Sequence, residues 1–288
     1  MTGVKNIEDF LDQVKKFKSE EDRKEVFFRG ITNIKYGLDE VNHIDNNKPK
    51  IYRDNYISYE NEIINDTIAN NHEYFKNCKT AIEKLELLQH YGIPTRLLDI
   101  TRNPLVALYF ACLKVDEKAD GEVILYHMNK GDIKYNDSDT VSILANLAFM
   151  PSDFRLSMNG DDVEENNDYK KLIHQICSEK SYFESCIKKE HISDCVLCVI
   201  PNLNNKRIIA QQGAFLLYGM KNGIKRDPSS IESKEYKYIS CHKITICDNS
   251  KESIIKELAG LGISKEVLFP ELENYIDVIE KKYKISCL

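Results

Sequence analysis

Apolar residues recur at Ile7, Phe10, Leu11, Val14 and Phe17, a spacing that predicts an amphipathic helix over 7–17. Glu25 to Arg29 reads as a strand, with Gly30 ending it. A polar, Asn- and Asp-rich loop is expected from Thr32 to Lys50. Tyr52 to Asn77 reads as helix, with Tyr56, Tyr59, Ile63 and Ile64 on one face. Thr80 to Tyr91 predicts a second helix, stopped by Gly92 and Pro94. Thr95 to Thr101 is a short extended stretch. Asn103-Pro104 then starts a helix with proline at its first position. That helix carries Leu105, Ala107, Leu108, Phe110, Ala111 and Cys112 and is apolar nearly all round, so burial is expected.

Gly121 to Met128 reads as a strand through Val123, Ile124, Leu125 and Tyr126. Residues 130–194 are polar and helical in pattern, broken by the charged run Asp161-Asp162-Val163-Glu164-Glu165. Within a single domain spanning 1–288, this stretch reads as a helical insertion or lid. Cys195 to Ile200 and Arg207 to Tyr218 return to strand character, joined by a polar turn from Pro201 to Lys206. Tyr236 to Cys247 adds a further strand or two. Lys251 to Leu261 predicts a helix ended by Gly262, Ser264 is placed to cap a short turn, and Glu271 to Tyr283 predicts a final helix. The fold class that follows is α+β, a mostly antiparallel sheet decorated by helices.

With 288 residues, 42% of them hydrophobic, the chain has material for a large core. A net charge of −6 excludes a globally basic nucleic-acid footprint but leaves room for a local basic cleft. Nine cysteines without regular spacing suit a reducing cytosol. The first residues are not followed by the apolar run of a signal peptide, and the apolar run Cys195 to Ile200 is strand-sized and closed by Pro201. The expectation is a cytoplasmic protein with no membrane partner.

Three segments place reactive groups beside apolar ones. Arg29 sits at a strand end before Gly30, where a guanidinium fork can hold phosphate or, equally, form a structural ion pair. His90-Tyr91-Gly92 offers a titratable imidazole and a ring that can stack. Close behind, Thr95-Arg96-Leu97-Leu98-Asp99 places Arg96 and Asp99 as a buried pair holding the turn. Gln211-Gln212-Gly213 puts two amides at a strand end, able to read a ribose hydroxyl or to satisfy a bulge. Cys195 and Cys198, near His191, have zinc-knuckle spacing, but strand alternation sends them to opposite faces, and no metal site is expected. A P-loop, a dinucleotide fingerprint and a Ser nucleophile elbow are all missing.

Phe28-Arg29-Gly30, Leu88 to Asp99 (LQHYGIPTRLLD), Asn103 to Ala111, Gln211 to Phe215 and Leu268-Phe269-Pro270-Glu271-Leu272 resemble elements of the FRG domain family. The resemblance runs from about Phe27 to near the C-terminus and implies a bacterial or phage-associated protein. The order of parts is also similar to that of ADP-ribosyltransferases of the Arg-Ser-Glu class. That similarity implies a sheet core of the same kind and NAD as substrate for ADP-ribose transfer or hydrolysis, while the FRG resemblance implies a phage-defence or toxin setting. It implies catalytic roles for Arg29, His90 and Gln211, and contacts to NAD from Arg29, Gly30, Tyr91, Thr95, Arg96 and Gln212. Where those enzymes carry a catalytic Glu on a late strand, this chain has Gln211-Gln212-Gly213, and Gln cannot act as a base. The rival readings are a non-catalytic sensor or interaction module that contacts a defence-system partner, and a nuclease. Asp39 and Asp99 stand too isolated in the sequence to form a metal-carboxylate cluster for the latter.

Overall fold

The computed structural model describes residues 3–20, 24–34, 48–53, 55–114, 118–160, 162–184, 186–193, 195–228 and 239–271. Its first elements are α1 (Ile7–Glu20), β1 (Glu25–Ile31), 3₁₀ turns at Lys50–Tyr52 and Tyr56–Tyr59, α2 (Glu60–Asn70), α3 (His72–Phe75), α4 (Ala81–His90), β2 (Leu97–Thr101), α5 (Pro104–Ala111), β3 (Gly121–Met128) and β4 (Ile133–Tyr135). It continues with α6 (Asp139–Asn146), β5 (Met158–Asn159), β6 (Asp162–Val163), α7 (Asn167–Glu179), β7 (Val196–Ile200), α8 (Lys206–Gln211), β8 (Gly213–Tyr218), β9 (Met220–Lys221), β10 (Ile224–Pro228), β11 (Ile239–Ile246), α9 (Lys251–Gly260) and α10 (Lys265–Leu268).

Among the described residues, seven strands form one sheet in the order β11-β3-β1-β2-β8-β7-β4. Every pairing is antiparallel except β4 with β7. A mixed fold with a mostly antiparallel sheet is therefore present. Alternation along the strands sends side chains to two faces. Phe28, Val123 and Leu125 pack outward on α1, α5 and α9 through Phe10, Val106 and Ile254. Leu97, Phe215 and Leu217 pack outward on α4, α6 and α7 through Leu85, Leu144 and Leu172. The inward residues Phe27, Leu98, Ile100, Ile124, Tyr126, Leu216 and Tyr218 form a third cluster whose buried members all come from strands. The sheet curls around this strand-only core.

Between β1 and β2 the ladder is nearly absent. β1 pairs with β3 from Glu25↔Met128 through Ile31↔Glu122, but meets β2 only at Phe28↔Thr101. Beyond that rung the sheet opens, and the opening lies between the two outward helix groups.

Several sequence expectations need correcting. Gly30 does not end β1, which continues to Ile31. A Cβ at Gly30 would lie 2.0 Å from the Ala107 carbonyl oxygen and 2.7 Å from the Ala111 nitrogen, so the glycine lets α5 seat directly on the strand. Arg207 to Tyr218 is not one strand. Asn205 caps α8 by accepting from the Arg207 and Ile208 amides, and the strand starts only at Gly213. The N-cap overrides the β-branched pair Ile208-Ile209 that reads as strand. The Tyr52 to Asn77 helix is divided into 3₁₀ turns, α2 and α3, with Tyr56 and Tyr59 exposed. Residues 130–194 contribute β4 to the sheet edge and bury Val141 to Ala148 and one face of α7 in the core shared with α4. Beyond Glu271, the helix expected to Tyr283 lies outside the described residues, as does most of the loop from Thr32 to Lys50.

Candidate functional site

α4 begins with a capping box. Thr80 Oγ1 accepts from the Glu83 amide, and the Glu83 carboxylate accepts from the Thr80 amide. Ile82, Leu85 and Leu88 face the core. Helical spacing then turns Glu86, Gln89 and His90 toward the sheet opening. The helix stops at Gly92, whose φ of +78° suits a residue without Cβ.

The opening forms a cleft of about 260 Å³. Its floor is Phe28 and Gly30 of β1, Asp99 and Thr101 of β2, and Gly213 and Phe215 of β8. One wall is α4. The others are α5, through Val106 and Phe110, and α8, through Arg207, Ile208 and Gln211. Arg29 bridges the open ladder, donating from Nη1 to the Asp99 carbonyl oxygen at 2.7 Å. Its Nε is buried without a hydrogen-bond partner among the described residues.

Gln89 organises the turn behind the cleft. Its Nε2 donates to Asp99 Oδ2 at 2.7 Å, and its Oε1 accepts from Thr95 Oγ1 at 2.7 Å. Thr95 Oγ1 in turn accepts from the Leu97 amide at 3.1 Å. His90 Nε2 lies 3.8 Å from Glu271 Oε1, and its Nδ1 lies 3.4 Å from Asn205 Nδ2. Arg207 donates to the His90 carbonyl at 3.5 Å and covers the Phe269 ring at 4.6 Å. Gln211 Nε2 donates to the Leu268 carbonyl at 3.0 Å, and its own carbonyl accepts from Thr101 Oγ1 at 2.7 Å.

Arg29, Gly30, His90 and Gln211 thus meet in one cleft. The other expected contacts fall elsewhere. Tyr91 is 57% exposed and packs edge-on against Tyr74 and His90, outside the cleft lining. Thr95 is buried behind Gln89. Gln212 is exposed at the end of α8 with φ 47°, its carbonyl accepting from the Arg102 amide.

Arg96 is fully buried and does not pair with Asp99, which is exposed and faces the cleft. Instead its Nε and Nη2 form a two-pronged pair with Glu60 of α2 at 2.9 and 2.5 Å, and Nη1 donates to the Tyr218 carbonyl. Lys225 of β10 joins the same carboxylate at 3.3 Å. Burial alone would raise the Glu60 pKa, but the adjacent Arg96 and Lys225 charges hold it below the usual carboxylate value. Burial pushes Lys225 down to about 8. A guanidinium in a β-strand turn could be seen in the sequence, whereas its partner, far away along the chain, could not.

The cleft also contains residues not singled out from the sequence: Glu86, Gln89, Phe110 and Arg207. Glu86 is only 7% exposed, and burial pushes its carboxyl up to about 7. Glu83 adds to that rise, while the neighbouring Asn136 side chain works against it. The available signal was the trio Glu86, Gln89 and His90, which share one helical face while Ile82, Leu85 and Leu88 form the apolar one.

Residues 24–120 match the FRG domain family model. The FRG match supports the family resemblance and takes in β1, α4, β2 and α5, hence Arg29, Gly30, Glu86, His90 and Asp99. The remaining cleft residues, on α8 and β8, lie C-terminal to the FRG match. No curated protein and no solved structure matches the chain. Among the described residues, no helix is long and apolar enough to cross a membrane, and no group of three His, Cys, Asp or Glu could hold a metal ion. Cys195 and Cys198 are buried in different clusters on opposite faces of the sheet.

Proposed function

We propose that the cleft binds a nucleotide, with NAD the first candidate, and that the protein transfers ADP-ribose to a target or hydrolyses NAD. The observation that supports this reading is the convergence of Arg29, His90 and Gln211, from three distant segments, at an opening in the sheet. Arg29 lines the cleft and supplies a fixed cation for a phosphate oxygen. Phe28, Phe110 and Phe215 supply apolar ring surface for a planar base, and Gln211 and Gln89 supply amides for ribose or carboxamide. At about 260 Å³ the cleft suits one nucleoside end, with the phosphates at its mouth beside Arg29. The family resemblance sets such chemistry in a phage-defence or toxin context, with a protein or nucleic acid as acceptor.

The test is NAD binding by calorimetry and nicotinamide release by chromatography, for wild type and Arg29→Ala. Binding weakened about tenfold or more by the substitution, about 1.4 kcal/mol, is expected. A wild-type protein that neither binds NAD nor modifies co-incubated protein, RNA or DNA overturns the proposal.

A further inference from the structure

We propose that Glu86 is the catalytic carboxylate of this cleft, the base that takes the proton of an attacking water or hydroxyl. The inference rests on the NAD reading above and supplies the carboxylate that Gln211 lacks.

Glu86 lies one helical turn before His90 on the same face of α4, and it lines the same cleft as Arg29 and Gln211. The residue is 7% exposed, and Oε1 has no hydrogen-bond partner among the described residues. Elsewhere the fully buried Glu60 has Arg96 and Lys225, and the half-buried Glu179 accepts from the Ala81 amide and from Asn146. A carboxyl placed in a cavity with no cation beside it and only the Asn136 amide to favour its charged form costs stability, and a purely structural position would be better filled by an amide or an apolar residue.

The groups around Glu86 suit proton transfer. Glu83 acts on it from its own helix and Asn136 from the end of β4. Arg29 of β1, Asp99 of β2, Arg207 of α8 and His90 line the cleft with it. A carboxyl poised to ionise near neutral pH can accept a proton and release it within one cycle.

The step balances with water as acceptor. The water oxygen bonds to the anomeric carbon of the nicotinamide ribose as the carbon–nitrogen bond to nicotinamide breaks. The bonding pair returns to the nicotinamide nitrogen and neutralises its positive charge. The water proton passes to Glu86 and then to solvent. With a hydroxyl acceptor, the same proton transfer accompanies ADP-ribosylation.

The experiment uses the full chain with NAD and measures binding and nicotinamide release for wild type, Glu86→Gln and Arg29→Ala between pH 5.5 and 8.5. Glu86→Gln is expected to bind NAD within about threefold of wild type and to lose roughly 100-fold or more in release rate. The wild-type rate should climb with pH and level off above about 7, a profile absent in the variant. Loss of rate with retained binding and a cooperative melt separates a chemical role from misfolding. Release by Glu86→Gln at the wild-type rate overturns the role of Glu86 and leaves the nucleotide site standing. Binding without release in wild type overturns it equally. Absence of NAD binding in wild type overturns the nucleotide reading, and this inference with it.

Discussion

Replacing Glu86 by Gln should stabilise the protein in a pH-dependent way. In the unfolded chain this carboxyl ionises at its ordinary value of 4.5, and in the folded protein burial raises it to about 7. A group with a raised folded pKa contributes its stability fully below the unfolded pKa and loses it as pH rises through the folded one. For Glu86 that window runs from about 4.5 to about 7. The shift corresponds to roughly 3 kcal/mol at pH 8, where the folded state must hold a buried carboxylate, and to under ~1 kcal/mol at pH 5. Gln keeps nearly the same shape and carries no charge at either pH. Glu86→Gln should therefore melt close to wild type at pH 5 and roughly 5 °C or more above it at pH 8, taking ~2 °C per kcal/mol for a chain of this size. Differential scanning calorimetry at pH 5, 6.5 and 8 measures this directly. A melting difference that does not change between pH 5 and pH 8, or a variant less stable than wild type at pH 8, refutes the reasoning. A gain in stability together with lost catalysis would mark Glu86 as a group retained for chemistry at the expense of the fold.

Two further substitutions test the scaffold that holds the cleft. Glu60→Ala leaves Arg96 and Lys225 buried without their carboxylate, and should cost about 3–5 kcal/mol in urea unfolding. An unchanged midpoint would show that the triad is dispensable. Gly30→Ala places a methyl against the Ala107 carbonyl and the Ala111 nitrogen and should push α5 off β1, costing about 3 kcal/mol or more. Hydrogen exchange should report the damage first in β1 and α5, and wild-type protection in both would contradict the close packing.

Much of the fold was legible from local pattern. Helix α1, the capped α4, α5 with proline at its start, β3 and α9 all follow from spacing and terminus signals within a few residues. α8 was not legible, because Ile208-Ile209 has strand character and only the Asn205 cap settles the matter. Arg29 and His90 stood out because charge beside apolar residues is unusual wherever it occurs. Glu86 did not stand out, because glutamate on a helix is ordinary until the helix is seen to bury it.

Taken alone, the sequence determined where most helices and strands form, since those signals act over one or two turns, and it nominated Arg29, Gly30, His90, Tyr91, Thr95, Arg96, Gln211 and Gln212 for a common site. Only the tertiary structure decided that β1 and β2 part after a single rung and that Arg29, Gly30, His90 and Gln211, but not the other four, line the gap. It also decided that Arg96 answers Glu60 rather than Asp99, and that Glu86 faces the cleft with an unpaired oxygen. Those outcomes depend on which groups distant in the chain share a low-dielectric interior. There, burial and pairing set the energy of a charge, and neither can be read from local spacing.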